Sequence, residues 1–413
     1  MRRDARALRL ALAFISTLLG GVIALGIPSV RFQQSQALLI GLGTTAIALG
    51  DLNHDELPDI ITATLLVTDE EKGLKRLYVA VALGGPQRIF SSPQFIEFHT
   101  VKIDDTVKVP RGKVLALGDL NRDRFLDLVL AYPTGGSFWV LWGDAQGSLR
   151  PVSGRDLPRG LRDVSAVALA DFTNDGRLDI MCTNLQGSVY VFINNGTERI
   201  DRWSVRETFV GGSLQSLAVS DLNRDGKLDA VVSSIGRAAV LLGDNTGSFA
   251  LEQRLAAGLY SGDSPAWIEL ADINNDGFAD LVTANPESDR LLIFVGDGQG
   301  KFDDPQGLPT GGLDPRAVIA GDFNRDGWLD LAATNSSSNT VTVHLNDGLG
   351  GFGSKIWVDP SARHRGEPKA MTIAVGSLPV GLASGDVDRD SDLDMAVVNQ
   401  GDGSVSVLLN ERP

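Results

Sequence analysis

A nine-residue pattern of acidic and amide side chains recurs seven times along this 413-residue chain. Its clearest copy runs from Asp322 to Asp330, with side-chain oxygens at positions one, three, five and nine and glycine at position six. Glycine adopts a positive φ without steric cost, so position six lets the chain curl and turn alternate side chains toward one centre. Hard oxygens arranged in this way are the ligands that Ca²⁺ prefers. Because the flanking segments are short and apolar, we expect each loop to close a β-hairpin.

All seven copies keep aspartate at positions one, five and nine, and up to seven structural Ca²⁺ ions are expected. The candidate ligands are Asp51, Asn53, Asp55, Asp59, Asp119, Asn121, Asp123, Asp127, Asp171, Thr173, Asp175, Asp179, Asp221, Asn223, Asp225, Asp229, Asp272, Asn274, Asp276, Asp280, Asp322, Asn324, Asp326, Asp330, Asp386, Asp388, Asp390 and Asp394. The fourth to sixth copies have no departure from the pattern and are expected to bind most tightly. The second is expected to be the poorest site, because Arg124 at position six brings a cation close to the ion. Asx turns without metal would explain a single copy, but seven aligned copies favour metal.

The spacing of the copies predicts the fold. They begin at residues 51, 119, 171, 221, 272, 322 and 386, and a regular period of roughly 50 residues is typical of repeat architectures. Between loops, short apolar runs alternate with polar or glycine-rich turns, which predicts four strands per unit and no long helix. We therefore expect an all-β fold, a seven-bladed β-propeller of four-stranded blades.

The unit resembles the FG-GAP/VCBS repeat, the blade of integrin α-subunit propellers and of many exported bacterial proteins. The resemblance covers residues 31–413 and is carried by the aspartate loops and by glycine–aromatic turns such as Gly300-Lys-Phe302. It implies that the calcium hairpins join the first two strands of each blade and share one rim. Segments joining other strands are then expected on the opposite rim, where family members engage ligands.

The end of the chain predicts how the propeller closes. After the last loop, only residues 395–398 and 405–409 form strand-like runs before Pro413. Residues 31–39 precede the first loop and resemble a strand with no unit of its own. Pairing this segment with the C-terminal strands would complete the seventh blade and remove two exposed edges.

The N-terminus is a different kind of sequence. Four arginines precede an uncharged run from Leu10 to Val30, which predicts a cleaved export signal or an uncleaved membrane anchor over residues 1–30. The protein is therefore expected to be secreted, periplasmic or at the cell surface, and to meet a membrane only through this segment if it is retained. Cys182 is the only cysteine, which excludes an intramolecular disulfide and suggests a core residue.

Charge and insertions bear on the partner. A formal net charge of −15 argues against nucleic acid. The period is stretched by residues 68–75 and 102–113 and by residues 359–369, which we place on the opposite rim. Cations in the segments expected on that rim predict an anionic partner, such as an acidic glycan or protein patch. These cations are Arg111, Lys113, Arg155, Arg159, Arg162, Arg316, Arg363, Arg365 and Lys369.

Two functions remain open from sequence. The preferred one is a monomeric, calcium-stabilised propeller that binds a protein or a glycan in adhesion or surface assembly. The alternative is an exported hydrolase or lyase that acts on a polymer. The four histidines share no repeat position, and no catalytic residue is assigned. His344 alternates with Val341 and Val343, and we expect it to point to solvent.

Overall fold

The computed structural model describes residues 30–41, 43–69, 74–86, 89–102, 114–132, 137–152, 161, 163–258, 265–348, 351–352 and 370–411. These residues form 28 β-strands and two 3₁₀ turns, Ile200–Arg202 and Ser336–Ser338. The strands build seven separate four-stranded antiparallel sheets. The predicted all-β propeller of seven four-stranded blades is confirmed. In this part of the chain, no helix has the length and apolar character needed to cross a membrane.

Six blades are built from consecutive strands, with the first strand of each blade nearest the axis and the fourth outermost. They are β2 (Ala46–Gly50), β3 (Asp59–Asp69), β4 (Leu74–Ala82) and β5 (Gln94–Lys102); β6 (Leu115–Gly118), β7 (Asp127–Tyr132), β8 (Ser137–Gly143) and β9 (Leu149–Pro151); β10 (Val164–Ala170), β11 (Asp179–Asn184), β12 (Ser188–Ile193) and β13 (Ser204–Phe209); β14 (Ser216–Ser220), β15 (Asp229–Ser234), β16 (Arg237–Gly243) and β17 (Phe249–Ala256); β18 (Trp267–Ala271), β19 (Asp280–Asn285), β20 (Arg290–Phe294) and β21 (Gln306–Pro309); β22 (Pro315–Gly321), β23 (Asp330–Asn335), β24 (Thr340–His344) and β25 (Ala370–Ala374).

The seventh blade joins the two ends of the propeller. It consists of β26 (Pro379–Gly385), β27 (Asp394–Asn399), β28 (Ser404–Asn410) and, outermost, β1 (Phe32–Leu39). β1 pairs antiparallel with β28, from Phe32 opposite Asn410 to Leu39 opposite Ser404. The predicted closure by the segment 31–39 is confirmed. Residues 1–29 lie outside the described residues.

The innermost strands contact one another in sequence around the axis, and β26 contacts β2 to close the ring. In every blade the nonapeptide loop joins the first strand to the second. All seven loops therefore lie at one end of the propeller, which we call the aspartate rim, together with the connections between third and fourth strands. The connections between second and third strands, and between blades, lie at the other end, which we call the opposite rim. The predicted shared rim is confirmed.

Both faces of each blade are packed against neighbouring blades. As a result, the second strands β11, β19, β23 and β27 are buried at every residue. Aromatic rings meet edge to face between blades, for example Phe138 and Phe192 with centroids 5.0 Å apart. Cys182 on β11 is fully buried, and burial raises the pKa of its thiol. This position agrees with the predicted core role.

His344 does not point to solvent, so that prediction is wrong. Its side chain at the end of β24 is only 3% exposed, and it donates a hydrogen bond to the backbone carbonyl of Thr310. Burial lowers the pKa of His344 to about 4. Alternation with Val341 and Val343 does mark two faces of the strand, but the neighbouring blades bury both of them.

One insertion extends from the aspartate rim, whereas the sequence predicted the opposite rim. β24 ends at His344, opposite Leu331, and β25 begins opposite His344 at Ala370. Both strand ends lie at the aspartate rim, so the prediction that residues 359–369 extend from the opposite rim is wrong. Residues 353–369 themselves lie outside the described residues. The first insertion joins β3 to β4 at the opposite rim, as expected, and residues 103–113 are outside the described part.

Candidate metal centres

Each aspartate loop is held in its curl by the carboxylate at position one. Its Oδ1 accepts a hydrogen bond from the backbone N–H of position five, and its Oδ2 accepts one from position six, at 2.6–3.2 Å in all seven copies. In six copies the position-three Oδ1 also accepts from position five. These bonds hold the oxygens of positions one and three close together on the inside of the loop, where an ion would lie.

Two residues per loop adopt the left-handed conformation. Position six has positive φ in every copy, including the non-glycine residues Glu56, Arg124 and Ser391. This confirms why glycine occupies it in the other four copies. Position four is also left-handed throughout, with φ between 53° and 64°. No sequence pattern indicated this second feature, because His, Arg and Asn at position four resemble ordinary surface residues.

The position-nine aspartate links the loop to the rest of its blade. Its Oδ2 accepts from the backbone N–H of position two, and its Oδ1 accepts from a residue at or just after the end of the third strand, all at 2.8–3.1 Å. In the sixth blade, for example, Asp330 binds the N–H groups of Phe323 and Asn346. All seven of these side chains have no solvent exposure. Position nine is therefore a structural clamp as well as a candidate ligand.

Burial shapes the ionisation of these clamps. It raises the pKa of Asp59, Asp179 and Asp280 to about 6 and that of Asp127, Asp330 and Asp394 to about 7. The pKa of Asp229 is raised for the same reason. The two backbone donors oppose the rise, while other carboxylates of the same loop add to it. A cation bound among those carboxylates would reverse the repulsion and favour the ionised form.

The seventh loop shows most directly that the donors fit one ion. Carboxylate oxygens of Asp386, Asp388 and Asp394 lie within 4.8 Å of one another. A single Ca²⁺ with oxygen distances of roughly 2.3–2.6 Å can span such a group. This copy has aspartate at position three, where five others have asparagine and the third has Thr173. The hydroxyl of Thr173 lies 3.3 Å from Asp179 Oδ2, so this weaker donor also faces the loop interior.

Position seven adds a competitor that the nonapeptide pattern does not reveal. Lys227 Nζ lies 2.9 Å from Asp225 Oδ2 in the fourth loop, and Arg177 Nε lies 3.3 Å from Asp175 Oδ2 in the third. A bound ion would have to share those carboxylates with the cation. The fourth loop is therefore expected to bind Ca²⁺ less tightly than its consensus sequence alone predicts. Arg124, the reason for ranking the second loop last, is exposed.

Side chains at position four connect neighbouring loops around the aspartate rim. Nitrogen atoms of these side chains contact main-chain carbonyls of the next loop. The pairs are His54 with Arg124, Arg122 with Gly176, Arg224 with Gly277, Arg325 with Asp390, and Arg389 with Asp55 and Glu56. The remaining two copies have the shorter Asn174 and Asn275 at this position. Loop geometry is thus coupled from blade to blade at five of the seven junctions.

The cations proposed for the opposite rim fall largely outside the described residues. Of that set, the structure describes Arg316, whose Nε lies 2.7 Å from Asp314 Oδ1. This cation is therefore paired within its own segment. Arg111, Lys113, Arg155, Arg159, Arg162, Arg363, Arg365 and Lys369 lie outside the described residues.

The comparison with known families matches segments of the chain that begin at the aspartate loops. A model of the FG-GAP-like repeat matches five overlapping segments, residues 119–182, 171–232, 221–283, 272–333 and 322–397. Each segment begins at the first aspartate of one loop and ends on the second strand of the next blade. The chain belongs to the FG-GAP-like repeat family. No curated protein matches the sequence.

Solved propellers share the architecture at low sequence identity. The structure of BBS1N in complex with ARL6DN superposes with a TM-score of 0.55 at 12% identity, covering 92% of this chain and 97% of that one. An Agrocybe aegerita lectin that recognises non-reducing terminal N-acetylglucosamine has a TM-score of 0.50 at 18% identity, over 76% and 79%. Virginiamycin B lyase from Staphylococcus aureus has a TM-score of 0.51 at 11% identity, over 92% and 99%. At these identities the likeness concerns the fold alone.

Proposed function

We propose that this FG-GAP-like repeat chain is an exported, calcium-stabilised propeller that binds another protein or a glycan through its opposite rim. The observation that carries the proposal is a set of large apolar side chains exposed at that rim. Leu39 and Phe209, both 75% exposed, end the outer strands of two blades. Ile235 lies in a second-to-third-strand turn, and Leu313 and Leu378 lie in blade-to-blade connections. Exposed apolar side chains that form a contiguous patch often mark an interaction site.

The other exposed large apolar side chains of the described residues do not belong to the aspartate loops. Phe95, Val205 and Leu251 lie on outermost strands, and Ile89 lies in a third-to-fourth-strand connection. The aspartate loops instead direct their polar groups inward to one another and to neighbouring loops. These contacts support a structural role for the aspartate loops and leave the opposite rim for binding.

The position of the N-terminal strand supports the same orientation. Phe32 at the start of β1 pairs with Asn410, whose N–H binds the clamp Asp394, so the chain comes into the propeller at the aspartate rim. If residues 1–30 are retained as an anchor, they tether this rim toward the membrane. The opposite rim then faces away from the bilayer, where a partner can reach it.

Calcium is the structural part of the proposal. Ions would be held by the oxygens of positions one, three, five and nine, the residues that the loop geometry already draws together. An ion bound only by the folded chain stabilises that state by mass action. We assign it no chemical step.

Structural neighbours guide the choice of ligand class. They include a lectin and a propeller in complex with another protein, which supports testing both glycans and proteins. They also include a lyase, which keeps an exported hydrolase or lyase as the alternative function. We favour binding because the two histidines whose side chains are described, His54 and His344, are held by main-chain carbonyls of Arg124 and Thr310.

Glycan and protein arrays probed with the purified chain in Ca²⁺ test this function. We expect a ligand whose binding is lost in Phe209→Asp and Leu313→Asp variants, because a buried charge without a partner is costly. Leu251→Asp, on an outer strand, is the matched control and should bind normally. Loss of binding at high salt would further indicate an anionic ligand. Binding that is equal in all three variants would place the site elsewhere, and turnover of an arrayed polymer would favour the enzyme.

A further inference from the structure

The outermost strand of the seventh blade differs from the other outermost strands in how it is attached. In six blades the fourth strand follows the third along the chain, whereas β1 comes from the opposite end of the sequence to pair with β28. Residues 40–45 connect the C-terminal end of β1 to β2. The pairing of β1 with β28 therefore depends on non-covalent contacts alone.

The fourth strand of the fourth blade, β17, is a close match for β1. Both strands have eight residues, begin with phenylalanine and show the same order of buried and exposed side chains. In each strand the fifth residue is a glutamine whose amide exchanges two hydrogen bonds with the backbone of a phenylalanine in the next blade. These pairs are Gln36 with Phe90 and Gln253 with Phe302, at 2.9–3.3 Å. β17 differs from β1 in being joined to the third strand of its blade, β16, by residues 244–248.

The start of β1 is connected to the seventh aspartate loop through one residue, Asn410. The backbone N–H of Asn410 donates to Oδ1 of the clamp Asp394 at 2.8 Å, and Asn410 pairs with Phe32, the first residue of β1. The side-chain Nδ2 of Asn410 donates to the carbonyl of Leu393 at 3.3 Å and to that of Phe323, in the sixth loop, at 2.8 Å. Two aspartate loops therefore hold the last residue of β28 at the place where β1 begins.

The first side chain of β1 packs against the sixth loop. The rings of Phe32 and Phe323 meet edge to face with their centroids 5.9 Å apart, and the N–H of Phe323 donates to the clamp Asp330. β17 repeats this arrangement, because Phe249 packs against Phe172 of the third loop at the same distance of 5.9 Å. The two strands therefore make the same ring contact with an aspartate loop, and they differ chiefly in chain attachment.

A detached β1 gains more conformational freedom than a detached β17. β17 is held at both ends, by residues 244–248 and by residues 257–266, which lead to β18. Within the described part of the chain, β1 is held only at its C-terminal end, by residues 40–45. Because fixing a freed backbone costs conformational entropy, docking of β1 needs more stabilisation from its contacts than docking of β17.

The contacts of Asn410 link the seventh loop to this docking step. Asp394 is a candidate ion ligand of that loop, and it also orients the N–H of Asn410, which forms the first pair of β1. We propose that Ca²⁺ in the seventh loop controls closure of the ring, so that β1 is firmly docked on β28 only in the ion-bound protein. This role rests on the calcium part of the proposed function. In ion-free protein, β28 becomes an exposed edge that can pair with another strand.

Hydrogen exchange of the full chain in saturating Ca²⁺, with β17 as the internal reference, tests this role. Asp390→Asn removes the charge at position five of the seventh loop but keeps an oxygen that can accept the N–H of Asp392. The β1 amides should then exchange roughly 10- to 100-fold faster, because an ion at a hundred times its Kd suppresses ion-free opening about a hundredfold. Protection of β17 should not change. Asp276→Asn, the same change in the fifth loop, is the matched control and should leave both strands protected.

A count of bound ions in each protein separates this role from calcium binding itself. If Asp390→Asn lacks one ion and β1 stays as protected as in the wild type, control of closure is overturned while calcium binding stands. Equal exposure of β1 in Asp276→Asn would also overturn it, because the effect would then not depend on the seventh loop. If the wild type binds no ion, both proposals fail. If Asp390→Asn retains the ion, Asp390→Ala takes its place in the same comparison.

Discussion

The two rims of this propeller are built on different rules. At the aspartate rim, all seven copies repeat the same hydrogen bonds, from the position-one carboxylate to the buried position-nine clamp. At the opposite rim, individual copies expose apolar groups at different positions, such as Phe209 at a strand end and Leu313 in a connection. Repetition indicates a demand that every blade shares, which is folding. Divergence indicates a demand on the whole molecule, which is recognition of a partner.

The largest expected effect is a difference in unfolding free energy. A single substitution at the aspartate rim should lower it much more than one at the opposite rim. Asp330→Ala leaves the buried N–H groups of Phe323 and Asn346 without an acceptor. At about 1–3 kcal/mol for each unsatisfied group, we expect a loss of roughly 2–6 kcal/mol. Denaturant unfolding measures it. Phe209→Ser at the opposite rim is the control and should change stability by no more than about 0.5 kcal/mol. Equal losses for both variants would remove the distinction between the rims.

A smaller effect is expected for the buried imidazole at the aspartate-rim end of β24. The pKa of His344 is lowered to about 4 in the folded state, whereas an unfolded histidine has a pKa of about 6.5. Between these values the unfolded chain binds more protons, so the stability present above pH ~6.5 falls as the pH approaches 4. His344→Phe, which copies Phe192 and Phe294 at the matching position, should remove a destabilisation of about 2 kcal/mol at pH 5.

The measurement is unfolding of wild type and His344→Phe at pH 7.5 and pH 5. The clamp aspartates act in the opposite direction in metal-free protein. The stability that their raised pKa values contribute is fully present below pH ~3.9, and it is lost as the pH rises through about 6–7. The difference between the two proteins at each pH cancels this contribution. His54→Gln, at an exposed site, is the control. A difference that does not change with pH would show that His344 carries no such linkage.

The smallest effect concerns the contacts between neighbouring loops. Arg224 binds the carbonyl of Gly277, and its guanidinium lies 4.3 Å from the centroid of Phe278. Arg224→Gln, which removes the guanidinium without introducing a residue that favours the left-handed conformation, should cost about 0.5–1 kcal/mol, because the contact is exposed. Thermal unfolding at low and high salt measures it. Arg206→Gln, at an exposed site on the outer strand β13, is the control and should cost less. The reverse order would show that position four does not couple the loops.

Much of the fold could be predicted because the aspartate period is strong. Seven copies determined the number of blades, and the unpaired segment before Asp51 indicated the closure by β1. Glycine at position six indicated a positive φ, since other residues avoid it. The left-handed residue at position four was not predictable, because Arg224 and its counterparts are residues of ordinary surface type. Their role depends on the distance to the next blade.

The other features that could not be predicted depend on contacts between residues that are distant in the sequence. The second oxygen of Asp330 binds Asn346, sixteen residues onward, and no local pattern connects the two. Solvent exposure was expected for His344 because alternation usually separates a buried face from an exposed one. In a propeller, neighbouring blades bury both faces, so alternation does not reveal exposure.

Thermal unfolding with and without Ca²⁺, combined with a count of bound ions, decides whether the aspartate rim is a set of structural calcium sites. We predict several ions per chain and a large fall in melting temperature on chelation, since an ion at a hundred times its Kd contributes about 2.7 kcal/mol. Asp326→Ala should bind one ion fewer and melt earlier in Ca²⁺. An equal melting temperature in EDTA and in millimolar Ca²⁺, with no ion retained, would contradict a structural role for calcium.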